Sequence, residues 1–276
     1  MEHIRQAVER ARASAGANAE QQIPMGQGSH RQHPGLGAGG SGQHDARIGI
    51  ELDPVYLESM RIVAHDVMDP RSKPFDILRT QILRTMDQES WQLLAVTSPT
   101  PGCGKTLTAI NLALSIARQP DRSVLLVDMD MQRPRLASYL GLECDKGLIS
   151  VLEGRTTLSD SIIQTRIGNN QMMVLPGESS TSHSSEWMAS REISGLLQNI
   201  RKDYKSRIII LDMPPVLPSD DVISILPQLD CVLLVTAVGV STVSDIEQCN
   251  RHLQSAPLVR VVLNKAPETT SQYYYY

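Results

Sequence analysis

The stretch Ser98 to Thr106, SPTPGCGKT, constrains this chain more than any other. An apolar run, Leu93-Leu94-Ala95-Val96, precedes it, and an amphipathic run, Leu107 to Ala117, follows it. That order reads as strand, glycine loop, helix. A bound phosphate needs backbone N–H donors, close approach and positive charge. Gly102 and Gly104 remove the Cβ atoms that would block the approach. The loop amides and the helix N-terminus then face the phosphate oxygens. In such a loop Lys105 reaches the β- and γ-phosphates, and the Thr106 hydroxyl binds Mg²⁺. Pro101, Gly102, Cys103, Gly104, Lys105, Thr106 and Leu107 are therefore the candidate nucleotide-binding positions. The loop departs from GxxxxGK[ST] at its first glycine, which is Pro99 here. An ordinary glycine turn before a helix would share these glycines but not the acidic strand ends found downstream.

The rest of the chain alternates in the same manner. Strands are expected at about Leu93–Thr97, Val124–Asp128, Met172–Leu175, Ile208–Leu211, Cys231–Val235 and Leu258–Leu263. Helices are expected at about Phe75–Met86, Thr106–Arg118, Pro134–Leu140, Ile149–Glu153, Ser190–Tyr204, Ser219–Leu226 and Val243–Gln254. In the first of these, Ile77, Leu78, Ile82, Leu83 and Met86 form the apolar side, with Arg79 and Arg84 on the polar side. Residues 56–67 show no clear period. The strands are near-continuous apolar runs, as expected when both faces are covered. This pattern predicts an α/β fold with a doubly wound, mostly parallel sheet. Ligands of such sheets bind at the carboxyl ends of the strands.

Composition sets the outer limits. A net charge of −4 over 276 residues offers no broad basic surface for nucleic acid. The four cysteines, Cys103, Cys144, Cys231 and Cys249, lack metal-ligand spacing and suggest no disulfide framework, which fits a reducing cytoplasm. No apolar run approaches the roughly 20 residues of a membrane span, and the N-terminus lacks a signal-peptide core. Any membrane role would then act through a partner. Residues 1–19 read as a short polar helix, either a docking element or a frayed end. Residues 20–48 are rich in Gly, Gln, His and Ser and read as a flexible linker. Residues 49–267 form the expected domain, and residues 268–276 a tyrosine-rich tail.

Acids stand where the strands end. VLLVDMDMQRP places Asp128 and Asp130 after one apolar strand, and IIILDMPP places Asp212 after another. Carboxylates beyond buried strands are costly unless positive charge faces them. A Mg²⁺–triphosphate supplies that charge. Asp212 would hold the metal, while Pro214 and Pro215 stiffen the turn that aims it. Either Asp128 or Asp130 could take a proton from an attacking hydroxyl, and the other could support the metal. The alternative is that these acids cap helices or pair with Arg133 and Arg135.

The combination of this loop with Asp128-x-Asp130 and Asp212-x-Pro214-Pro215 resembles the bacterial tyrosine kinases over roughly Phe75 to Lys265. These are P-loop autokinases of capsule and exopolysaccharide assembly, related to the Min/Par ATPases. The leader MEHIRQAVERARA is similar to that of a cytoplasmic subgroup linked to exosortase-type loci. The resemblance implies ATP and Mg²⁺, with Lys105, Asp128, Asp130 and Asp212 as catalytic residues and Thr106, Asp130 and Asp212 as metal ligands. It implies that Asn264, at the end of VVLNK, reads the adenine, although asparagine also favours turns after strands. Its implied partners are a membrane polysaccharide co-polymerase as activator, a cognate tyrosine phosphatase and further copies of the chain. The implied location is cytoplasmic, at the inner membrane through that partner.

Three positions depart from the family pattern. The fifth position of its DxDxR motif is Gln132, with Arg133 next. Its ExxRxxR helix reads Lys73, Asp76 and Arg79, so only the last is kept. The Min/Par signature lysine is replaced by Thr100, which favours the kinase branch. The tail points the same way. Four of the seven tyrosines are Tyr273, Tyr274, Tyr275 and Tyr276, after a polar segment with no reason to pack. Tyrosines on a mobile end can enter a neighbour's site, as autophosphorylation in trans requires. The competing readings are a Min/Par-type ATPase switch and a nucleotide-dependent scaffold without kinase activity.

Overall fold

A computed structural model describes residues 49–203 and 207–267. The expected N-terminal helix, the linker, the end of one helix at Tyr204 and the tyrosine tail all lie outside the described residues. In chain order the elements are β1 (Ile50–Glu51), α1 (Pro54–Ser59), α2 (Lys73–Glu89), β2 (Leu93–Thr97), α3 (Lys105–Ala117), β3 (Ser123–Asp128), α4 (Leu136–Leu140), α5 (Leu148–Leu152), α6 (Leu158–Ser161), β4 (Ile163–Ile167), β5 (Asn170–Leu175), α7 (Ser184–Met188), α8 (Arg191–Asp203), β6 (Arg207–Asp212), α9 (Asp221–Ile225), β7 (Cys231–Ala237), α10 (Val243–His252) and β8 (Val259–Asn264).

The eight strands form one sheet in the order β1-β4-β5-β3-β6-β2-β7-β8. All pairs are parallel except β4 with β5. Every residue of β2 and of β7 is buried, because helices cover both faces. Alternation along each strand divides the core in two. Leu94, Val96, Leu126, Ile210 and Leu233 pack under α1, α2, α3 and α4. Leu93, Ala95, Leu125, Ile209 and Leu234 pack on the opposite side, with α5, α7, α8, α9 and α10. The six expected strands all form, with ends moved by one or two residues.

Two strands escaped the sequence reading. β4, IQTRI, is half exposed, with Gln164 and Arg166 facing out and the polar Thr165 buried beside Ile167. It folds back on β5, with Ile167 opposite Asn170 across a turn at Gly168, whose φ is +56°. β1 adds two residues beside it. Both lie outside the parallel core, so neither is a continuous apolar run.

Two corrections concern α2. Ile77, expected on the apolar side, is 60% exposed. Arg79, expected on the polar side, lies on the packed face, because positions 79, 82, 83 and 86 form one i, i+3, i+4, i+7 stripe. Its Nη1 donates to Asp76 Oδ1 (3.1 Å), to the Ser115 carbonyl (2.9 Å) and to Ser115 Oγ (3.1 Å). Arg118 Nη2 meets the other oxygen of Asp76 at 3.0 Å. This polar cluster joins α2 to the end of α3.

Candidate nucleotide site

β2 delivers the chain to the loop, and α3 begins at Lys105. Gly102 and Gly104 have φ of +85° and +92°, in the left-handed region that glycine adopts without strain. Pro101 and Gly102 lie exposed on the crest of the loop, whereas Cys103 is buried beneath it. The first amides of α3 have no partner within the helix and remain available to an anion. Leu107 contributes only in that way, since its side chain packs against the core under α3.

The loop is braced from below. Thr97 Oγ1 donates to the Pro214 carbonyl (2.6 Å), while the amides of Val216 and Leu217 donate to Ser98 O (2.8 Å) and Pro99 O (3.1 Å). The segment after β6 is thus stitched to the loop. From the other side, Asn264 Nδ2 donates to the Cys103 carbonyl (2.9 Å), and its Oδ1 accepts from the Lys265 amide (2.8 Å). A Cβ on Gly104 would strike this asparagine amide. Asn264 therefore stands beside the loop as a latch, a contact that sequence reading missed.

The three strand-end acids converge. Asp128 and Asp212 are register partners at the carboxyl ends of β3 and β6. Lys105 Nζ lies 2.8 Å from Asp130 Oδ2 and 3.4 Å from Asp212 Oδ1. Thr106 Oγ1 donates to Asp212 Oδ2 at 2.6 Å. Asp128 behaves differently. Its Oδ2 accepts from the amides of Arg135 and Leu136 (3.0 Å each), and its Oδ1 from the Asp130 amide (3.2 Å). It thereby caps the start of α4, as the alternative reading of these acids allowed. The Arg133 amide donates to Asp130 Oδ1 at 3.1 Å. The backbone amides of Arg133 and Arg135, rather than their guanidinium groups, hold these carboxylates.

Burial and crowding shape the charges. Burial would lower the pKa of Lys105, but Asp212, Asp130 and Asp128 outweigh it and hold the ammonium above its ordinary value. Burial, then the charge of Asp212, pushes Asp128 up to about 7. Burial also raises Asp212, against the pull of Lys105 and Thr106. Three buried carboxylates thus share one lysine, which leaves room for further positive charge. Among the described residues no carboxylate, histidine and cysteine cluster could hold a metal by itself. A hydroxyl and two carboxylates beside a phosphate loop instead suit Mg²⁺, which keeps waters and shares its shell with substrate phosphates.

The chain is similar in sequence and fold to known proteins. A family model described as an AAA domain matches residues 92–256. Tyrosine-protein kinase CpsD of Streptococcus pneumoniae serotype 4 is 32% identical over 187 residues, 66% of this chain and 79% of that protein. The chain belongs to the bacterial tyrosine-protein kinase family. Within that family, EpsB of Ralstonia solanacearum is 31% identical over 209 residues, 75% of this chain. The match spans 27% of EpsB, so this kinase-family chain covers about a quarter of the length of such relatives. Among solved structures, the chimerical protein CapA2B2 superimposes with a TM-score of 0.69 and 28% identity, covering 80% of this chain and 94% of that one.

Proposed function

We propose that this chain is an ATP-dependent protein-tyrosine autokinase acting on Tyr273 to Tyr276. One observation carries the reading. Lys105, Thr106, Asp130 and Asp212 share a single set of contacts at the mouth of a phosphate loop. The loop amides and Lys105 bind the β- and γ-phosphates of ATP. Thr106, Asp130 and Asp212 would hold Mg²⁺, which when bound supplies charge neutralisation at the transferring phosphoryl group. Asp128 is the one site acid not engaged by Lys105 or Thr106, and it is left to take the proton of the tyrosine hydroxyl. The new bond joins the tyrosine oxygen to the γ-phosphorus, the bond to the bridging oxygen breaks, and ADP leaves. Asn264 holds the loop where adenosine would lie. Positioning and electrostatics do most of this work, since phosphoryl transfer requires little covalent help from the protein.

The setting follows from the family: regulation of exopolysaccharide or capsule polymerisation and export, with a membrane co-polymerase as activator and a tyrosine phosphatase as antagonist. Among the described residues no helix is long and apolar enough to cross a membrane.

Intact mass of the purified protein, with and without ATP–Mg²⁺, tests the reading. Additions in steps of one phosphate, absent in Lys105→Met and in a variant with Tyr273–Tyr276 changed to Phe, are expected. ATP binding without phosphate incorporation, also in the presence of a co-polymerase cytoplasmic segment, would favour the ATPase switch or scaffold.

A further inference from the structure

Three segments leave the carboxyl ends of β3, β5 and β6, and they meet at one buried carboxylate far along the chain from the phosphate loop. Asp221, the first residue of α9, has no exposed surface. Its Oδ2 accepts from Gln132 Nε2 at 3.2 Å. Its Oδ1 accepts from Ser184 Oγ at 3.2 Å and shares the Ser185 hydroxyl, 2.7 Å away, with Asp220 Oδ1 at 2.6 Å. These donors are all neutral. Gln132 also donates to Ser184 Oγ at 3.0 Å, and the Thr181 amide donates to Met131 O at 2.9 Å. Loss of the Gln132 bond leaves Oδ2 of this buried carboxylate without its side-chain donor, which is the expensive outcome.

The position of this knot gives it a consequence. Gln132 lies between Asp130 and Arg133, and the Arg133 amide grips both the backbone and side-chain oxygens of Asp130, at 3.0 and 3.1 Å. The segment that ends at Asp221 begins at Asp212. One carboxylate therefore ties together the two segments whose acids face Lys105 and Thr106. We propose that Asp221 and Gln132 are positioning residues that fix the spacing of Asp130 and Asp212, and with it the affinity of the site for Mg²⁺ with nucleotide. The proposal deepens the kinase reading, resting on its assignment of Asp130 and Asp212 to the metal, but does not depend on tyrosine phosphorylation.

The knot has a polarity that can be exchanged. Gln132→Glu turns the donor facing Asp221 into an acceptor and sets two carboxylates against each other. Asp221→Asn alone keeps one amide oxygen for Gln132 and can donate its N–H groups to the serine hydroxyls, so it should stay near wild type. Combined with Gln132→Glu, it restores one N–H···O bond in reverse. The readout is the dissociation constant of a fluorescent ATP analogue, measured with and without Mg²⁺, beside a thermal melt. Gln132→Glu is expected to lose about 10–100-fold of the Mg²⁺-dependent affinity, the usual effect of displacing a residue that orients a metal ligand. Affinity without Mg²⁺ should stay near wild type, because the loop amides are untouched. The double variant should recover most of the loss. Gln132→Ala, at an exposed position, removes the same bond and gives the same test if Gln132→Glu does not fold. A Gln132→Glu or Gln132→Ala protein that keeps the wild-type Mg²⁺ dependence, or a double variant no better than Gln132→Glu, would overturn the proposal. A wild-type protein that binds nucleotide with Mg²⁺ but incorporates no phosphate would instead count against the kinase reading alone.

Discussion

Asn111 lies in the middle of α3, fully buried, and is the point at which the segment before α2 is tied to the phosphate-loop helix. Its Oδ1 accepts from the amides of Val63 (2.9 Å) and Ala64 (3.0 Å). Its Nδ2 donates to Leu107 O (2.9 Å) and Arg61 O (3.3 Å). Val63 and Ala64 are themselves buried, so Asn111→Ala strands two backbone N–H groups away from water. Each stranded donor costs about 1–3 kcal/mol, which gives about 2–6 kcal/mol for the pair. A water entering the vacated space would bring the value towards the lower end. Against a total stability of about 5–15 kcal/mol this is a large fraction. The backbone offers no relief, since Arg61 already stands at φ +62° to bring these amides round. Urea unfolding followed by the fluorescence of Trp91 and Trp187 measures the effect, with the slope confirming that the same transition is compared. Hydrogen exchange at Val63 and Ala64 should accelerate in parallel. A variant within about 0.5 kcal/mol of wild type at unchanged slope, the range of ordinary surface substitutions, would refute the reasoning.

Gly104→Ala places a Cβ at φ +92° and against the Asn264 amide, so nucleotide binding measured by calorimetry should be abolished; Gly102→Ala, strained at φ +85° but facing open space, should bind measurably and fold more stably than Gly104→Ala. Burial opposes ionisation of Glu178, yet bonds from Ser150, the Gly147 amide and Arg155 outweigh it and hold the carboxyl below its ordinary value. A lowered folded pKa means stability that is present above the unfolded value and lost as pH falls through the folded one. Glu178→Gln should therefore lower the urea midpoint at pH 7, and the gap from wild type should narrow on acidification through the carboxylate range; a gap that stays constant with pH would show that the charge contributes nothing.

The elements that could be read from sequence were those whose local pattern matches their environment. Leu93–Thr97 is apolar throughout because both its faces are covered, and SPTPGCGKT carries its own chemistry in consecutive residues. β4 has no clear sequence pattern because it is half exposed, next to the edge strand β1, and its partner β5 supplies the reason for it to extend. Arg79 was misplaced because charge alone suggested solvent, whereas Asp76 and Ser115 make its buried side hospitable. From the sequence Asp128 and Asp130 are interchangeable as base or metal support, and Asp212 alone is assigned to the metal. Their division into one residue held by backbone amides and two facing Lys105 depends on where the following segments turn. Gln132 stands out in the sequence only as the residue in place of the motif arginine, and nothing there points to Asp221, 89 positions away.

By itself, then, the sequence determined the kind of fold and where its glycine loop lies in it. Hydrophobic period, glycine and lysine act over a few neighbouring residues, and a parallel sheet brings all its strand ends to one side. Tertiary structure alone decided which oxygen meets which cation, which amide braces the loop and which buried carboxylate ties the acid-bearing segments together. Those contacts join residues distant in the chain, and their energies depend on desolvation that exists only once the two layers of helices have closed over the sheet.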